Sequence, residues 1–291
     1  MSSSQSLAWI KVVMEKLIEI VEKEAKILAN PIMLMLQKEI KFEEKVIKYL
    51  QDEDVATAVS QILASLRASI RSMLLLASQD LDSMMAKDSL PIARSVIEGC
   101  INATFIMAQG KNVANDALDH TVFKGFRNTD RSAGKGAHKV SLHRIPKIEP
   151  HDDLSELIEK FTNKKGRAKN WTDLSVPQRI ECIEPVFGRT CATSLSMAYL
   201  MVYSDASEII HSSVTGAKIA NGTIAFSRYP RTQNDHMTIQ KSHIEGALLS
   251  SFIALDSVLR AFCKYTKFTS FEVTLDKQLN QFKDFCENDF Q

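Results

Sequence analysis

Two short stretches carry the residue types that anion and acid–base chemistry need. In "ARSVIEGCIN", Arg94, Glu98 and Asn102 fall at i, i+4 and i+8; in "YSDASEIIHSS", Tyr203, Ser207 and His211 repeat that spacing, with Tyr199 one step before them. A helix places residues four apart on one face, so each stretch forms a polar ladder on an otherwise apolar helix. Facing each other, the ladders would gather an arginine, a glutamate, a tyrosine and a histidine in one partly buried pocket. There Glu98 would set the tautomer of His211 or raise its pKa, and Arg94 would hold an anion. A plainer meaning stands beside this one: Arg94 and Glu98 as an ordinary i, i+4 pair, and the histidine as a core group satisfied by hydrogen bonds.

The elements that must position these ladders read as helices almost throughout. Ile10, Met14, Leu17, Val21 and Leu28 recur at helical spacing, Pro31 interrupts, and Leu36, Ile40, Ile47 and Leu50 continue, giving a charged N-terminal arm over residues 1–50. Residues 51–291 form the main helical domain. Its first helix runs from Val55 to Met84, and "DSLP" opens the next, with Ser89 as cap and Pro91 in the first turn. Shorter helices follow over Val113 to Phe126, Asp152 to Thr162 and Gln178 to Phe187. Thr190 to Ser213 carries the second ladder, and helices from Ile239 to Lys264 and from Leu275 to Cys286 close the chain. Residues 127–150 lose periodicity and collect Gly, Pro, Ser and charge, as a long loop does. Strand material is confined to "VTGAKIANGTIAFSRYPRTQND", as a small hairpin about Asn221 and Gly222. The fold class is all-α, a multi-helix bundle with long loops and at most one small β-hairpin.

Bulk properties narrow the function classes. Lys and Arg number 36 against 35 Asp and Glu, so no global field draws the chain to nucleic acid or lipid and any such attraction is local. No apolar stretch reaches the roughly 18 uninterrupted residues of a membrane span, and the lysines in "MSSSQSLAWIKVVMEK" break a signal-peptide core, so the expected compartment is the cytoplasm. The five cysteines form no C-x-x-C pair and read as small buried hydrophobes. Glu208 and His211 make one E-x-x-H, half of a di-iron motif, with no second in the chain; neither a metal nor another cofactor is expected. Zinc proteolysis, P-loop hydrolysis and the α/β-hydrolase mechanism lack their motifs.

The two ladders together resemble the signature segments of an uncharacterised bacterial all-helical family, R-x3-E-x3-N followed much later by Y-x3-S-x3-H. That resemblance spans roughly residues 55 to 215 and implies a helical domain with no established reaction. More loosely the chain resembles the HEPN ribonucleases and abortive-infection proteins, whose R-x4-6-H motif cleaves RNA, usually as a dimer. Arg131 with His138, Arg144 with His151 and Arg231 with His236 satisfy this spacing, the last pair standing directly before a helix.

Metal-independent RNA cleavage suits such groups. A histidine moves the proton of the 2′-hydroxyl or the leaving oxygen, and an arginine stabilises charge on the phosphate. His211 with Tyr203 and Arg94, or His236 with Arg231, would serve. Arg127, Arg131, Lys135, Lys139 and Arg144, together with "NKKGRAK", would contact RNA phosphates, although no Phe, Tyr or Trp lies inside either segment to stack on a base. Two readings follow. One is a cytoplasmic RNase-like toxin or phage-defence effector, silenced by a partner or by its homo-oligomeric state; the other is a non-catalytic module that docks a protein through its N-terminal helices.

Overall fold

The computed structural model describes residues 52–78, 85–127, 131–143, 152–221, 232–267 and parts of 272–280. The N-terminal arm, Arg144, His151, Arg231, the expected turn at Gly222, and Phe282 and Cys286 of the last expected helix lie outside these residues. The chain forms the α-helices α1 (Glu53–Ala77), α2 (Ser89–Gln109), α3 (Lys111–Arg127), α4 (Asp152–Phe161), α5 (Val176–Phe187), α6 (Arg189–Ile210), α7 (Val214–Ala220) and α8 (Gln233–Thr266), and the described residues within 272–280, including Leu275 and Leu279 of the last expected helix, are helical as well. Two three-residue strands, β1 (Arg131–Ala133) and β2 (Val140–Leu142), pair antiparallel between α3 and α4. The all-α expectation holds, with one small hairpin.

Helix α2 is the hub, packed by α1, α5, α6 and α8. Ala93, Val96, Ile97, Cys100, Ile101, Ala103, Phe105 and Ile106 are buried nearly all the way around it. A helix apolar on most of its circumference can be stable only inside other helices. The half-exposed stripe that remains contains Arg94, Glu98 and Asn102. Ser250, Ser257, Thr104 and Thr266 are also buried, and each hydroxyl donates to the carbonyl four residues back, so these four core hydroxyls are satisfied.

Local chemistry explains where the elements depart from expectation. Helix α1 ends at Ala77 with Ser78 as its C-cap, and Leu81 and Met84 of the expected helix lie outside the described residues. Ser89 is the first helical residue of α2 and not its cap; its hydroxyl donates backward to the Ala86 carbonyl. Val214–Ala220 is helical, not strand, because Ser213 Oγ accepts the Gly216 N–H at 2.8 Å and starts a turn. Among the described residues a hairpin forms inside the expected loop, where Gly134 and Gly136 take positive φ. Helix α8 begins at Gln233, capped reciprocally by Thr232 and Asp235, so His236 lies within its first turn.

Three helical stretches are long and apolar enough to cross a membrane: α1, Met85–Gln109 and α8, with hydropathies of 1.2, 1.2 and 1.5. The strict search for uninterrupted apolar runs passes over them because each contains polar positions. Within the bundle, 72% of the apolar window of α8 and 61% of that of Met85–Gln109 are buried, against 33% for α1. The first two thus spend their apolar surface on the core.

Two glycines mark where helices touch most closely. A Cβ on Gly99 would meet the flexible end of Leu66, whereas one on Gly216 would meet the backbone carbonyl of Glu208. Leu66 can shift its terminal methyls; the Glu208 carbonyl cannot move without disturbing the end of α6. We therefore expect Gly216→Ala to destabilise the protein by about 2–3 kcal/mol and Gly99→Ala by about 1 kcal/mol in urea unfolding, within the usual range for overpacking. Equal midpoints for the two variants would contradict this account.

Candidate functional site

The stripe of α2 that reaches the surface meets α5 and α6. Arg94 sits two turns above Asn102, and its guanidinium makes three interactions: Nε donates to Glu98 Oε1 at 2.9 Å, Nη2 donates to the Tyr203 hydroxyl at 3.1 Å, and Cζ lies 4.1 Å from the Tyr203 ring centroid. Arginine does this well because its planar fork can hydrogen bond in plane while stacking through its face. The Tyr199 and Tyr203 rings lie 4.2 Å apart, so the aromatic stack extends one turn along α6.

Arg179 completes the cluster from α5. Its Nη1 donates to Asn102 Oδ1, its Cζ lies 6.0 Å from the Trp171 ring, and its Nε is buried with no hydrogen-bond partner. Burial pulls the Arg179 guanidinium below its ordinary range, opposed by Glu98 and the two tyrosines. The Ser175–Gln178 capping box fixes the start of α5, and the buried Val176, Ile180 and Ile183 set its rotation, which leaves Arg179 at the flank of the packed face. Two guanidiniums, one carboxylate and two phenols thus share a half-buried seam.

Tyr199 also lines a groove of about 340 Å³ between α5 and α6, together with Pro177, Ile180, Thr193 and Ser196. This volume is in the range of small-molecule sites. Burial, followed by the neighbouring Tyr203 and Glu98, pushes the Tyr199 phenol up to about 12 against the opposing field of Arg94. It is therefore a neutral hydrogen-bond donor at physiological pH.

The expected pocket is only partly assembled. Arg94, Glu98, Asn102 and Tyr203 come together, but His211 does not join them. Helices α2 and α6 run antiparallel: Arg94 meets Tyr203, while Cys100, further along α2, lies near Cys191, further back in α6. Beyond Tyr203 the ladder consequently moves away from Glu98. His211 is the exposed C-cap of α6, eight residues and about 12 Å along the axis from Tyr203. Ser207 lies half-buried between them. Arg131 and His138 are exposed on the hairpin, as are Lys135 and Lys139, while Arg127 and His236 are half-exposed on α3 and α8. Among the described residues, no three of His, Cys, Asp and Glu converge as metal ligands would. Arg179 and Trp171 belong to no sequence motif because the contacts of Arg179 with Asn102 and of Trp171 with Arg179 and Phe105 are tertiary; the one sequence signal is that Trp171 directly follows the basic "NKKGRAKN".

A family model described as a family of unknown function (DUF5677) matches residues 56–221, more than half of the chain and including every residue of this cluster. No curated protein and no solved structure matches the chain.

The elevated Tyr199 pKa is measurable. A group whose folded pKa exceeds its ordinary value of 10 contributes stability that is fully present below pH 10 and lost as pH rises through 12. In an ultraviolet titration of folded protein, one phenol is expected to ionise near pH 12, and Tyr199→Phe removes that late step. Loss of amplitude near pH 10 in Tyr199→Phe, with the late step retained, would refute the assigned environment.

Proposed function

The chain belongs to this family of unknown function, so its function has to be read from the cluster itself, and we propose that it is a cytoplasmic RNase-like effector, of toxin or phage-defence type, whose centre is the Arg94–Glu98–Tyr203–Arg179 cluster. The observation that carries the reading is the convergence of two guanidiniums with a carboxylate and two phenols in one half-buried seam beside a groove. Guanidiniums recognise phosphate oxygens through paired N–H groups, and a low-dielectric seam strengthens each contact.

In this reading Glu98 takes the proton from an RNA 2′-hydroxyl, and that oxygen attacks the adjacent phosphorus to form a 2′,3′-cyclic phosphate. The P–O5′ bond breaks, and the leaving 5′-oxygen takes a proton from Tyr199. Arg94 and Arg179 hold the charge that builds on the phosphoryl oxygens. The acid–base role thereby moves from His211 to Glu98, and His211 becomes a contact further along α6.

A second reading, a non-catalytic interaction module, is favoured by one feature: Arg94–Tyr203 and Arg179–Asn102 tie α2 to α6 and α5 to α2, as purely structural ladders would. Cleavage of a fluorophore-quencher RNA in EDTA separates the two. The enzyme reading expects turnover by the natural chain and a loss of about 100-fold or more in Glu98→Gln, the scale of a lost general base. It also expects His211→Ala and His236→Ala to stay within about threefold, far below that scale. A folded Glu98→Gln protein with undiminished turnover, or a natural chain without any, leaves the structural module as the reading.

A further inference from the structure

A dense run of positive charge lies on the connector between α4 and α5, where Lys164, Lys165, Arg167 and Lys169 fall within six residues, and its backbone is held in a fixed shape. Asn163 Oδ1 accepts the backbone N–H groups of Lys165 and Arg167, both at 2.9 Å, and the Asn163 N–H donates to the Arg167 carbonyl at 2.8 Å. Gly166 turns the chain at φ +70°, and Thr162 bridges Ala168 across the base. A turn closed this way keeps its side chains in place without a hydrophobic anchor. Lys164, Lys165, Arg167 and Lys169 are exposed, and the Lys169 ammonium donates to the Lys160 carbonyl at 3.2 Å.

Helix α3 extends the surface. Arg127 Nη2 donates to the Gly166 carbonyl at 3.5 Å, and His120 Nε2 hydrogen bonds the Lys169 carbonyl at 3.0 Å, so the end of α3 carrying Lys124 and Arg127 is pinned beside the turn. The nearest acids in α3, Asp116 and Asp119, are both occupied by Lys160, at 2.7 and 2.8 Å. Residues 120–127 and 162–172 contain no Asp or Glu. Lys164, Lys165 and Arg167 are therefore exposed beside the partly buried Lys124 and Arg127 with no acid of their own segments to neutralise them, although the whole chain is nearly neutral.

The surface leads to the cluster described above. Two residues past Lys169, Trp171 packs 6.0 Å from Phe105 of α2 and carries Arg179 against its ring. We infer that this turn and the end of α3 form a docking surface for the sugar–phosphate backbone of RNA, guiding it along Lys164, Lys165, Arg167 and Lys169 to Trp171 and Arg179. The inference adds a substrate-binding surface to the RNA reading and rests on it for the choice of RNA. An anionic membrane is the less favoured partner, because Phe123 and Phe161 beneath the turn are buried and Val122 is the one exposed large apolar side chain on the described residues of these two segments, too little apolar surface to anchor in lipid. Spaced cations on a rigid frame, with one ring at their end, read the backbone and not the sequence.

The test is equilibrium binding of the full chain to two fluorescein-labelled single-stranded RNAs of unrelated sequence across a salt series, with the triple variant Lys164→Gln, Lys165→Gln, Arg167→Gln alongside. All three side chains are exposed, so the variant should melt as the natural chain does. The expected result is similar affinity for both RNAs, a loss of about tenfold or more in the variant at 0.1 M salt, and a log–log salt slope shallower by about 2, the value for three lost phosphate contacts on a single strand. An unchanged slope and affinity in the folded variant overturns the inference, as does tighter binding to phosphatidylserine vesicles than to either RNA. Salt-dependent RNA binding by a protein that never cleaves would support the surface while removing the reaction proposed above.

Discussion

The burial of α2 constrains everything else in this protein. A helix packed by four others can bear charge only where a seam between neighbours opens to water, and a charge placed at such a seam must find its partners on the helices that form it. Arg94 meets both requirements. Its ion pair with Glu98 is internal to α2, but its bond to Tyr203 spans the interface with α6. The rotation of α2 that buries Ile97, Ile101 and Phe105 is the same rotation that presents Arg94, Glu98 and Asn102 to α5 and α6.

Packing and site are consequently one arrangement. Because α5 is short, its position depends on a few buried side chains and its capping box, yet it contributes Arg179, the second guanidinium. Trp171 joins the core at Phe105 to the connector that carries the basic turn. A change that loosened α5 against α2 would be felt at the Asn102–Arg179 contact before it reached the centre of the bundle.

The antiparallel pairing of α2 and α6 also determines which chemistry is available. Of the three positions in the second ladder, it brings Tyr203 to Arg94, leaves Ser207 partway and carries His211 to the exposed end of α6. The cluster is thus built from arginine, glutamate and phenol groups. It is suited to holding an anion and to carboxylate-assisted proton transfer, and less to imidazole relay.

Sequence alone determined that this chain is helical, because the 3.6-residue period of Val59, Ile62, Leu66 and Ile70, and of Val96, Ile97 and Cys100, is a local property of the chain. It also determined that each ladder shares a face, since i, i+4 spacing needs no neighbour. It missed the hairpin at Gly134 and Gly136 and misplaced the start of α2, where a glycine φ and a serine hydroxyl had several local options and long-range packing chose among them. Which ladder residues meet, and that Arg179 and Trp171 join them, was decided by tertiary structure alone. The reason is physical: the direction in which two helices pack, and the offset between them, are fixed by the complementarity of whole buried faces. The spacing of polar residues along either helix contains neither quantity.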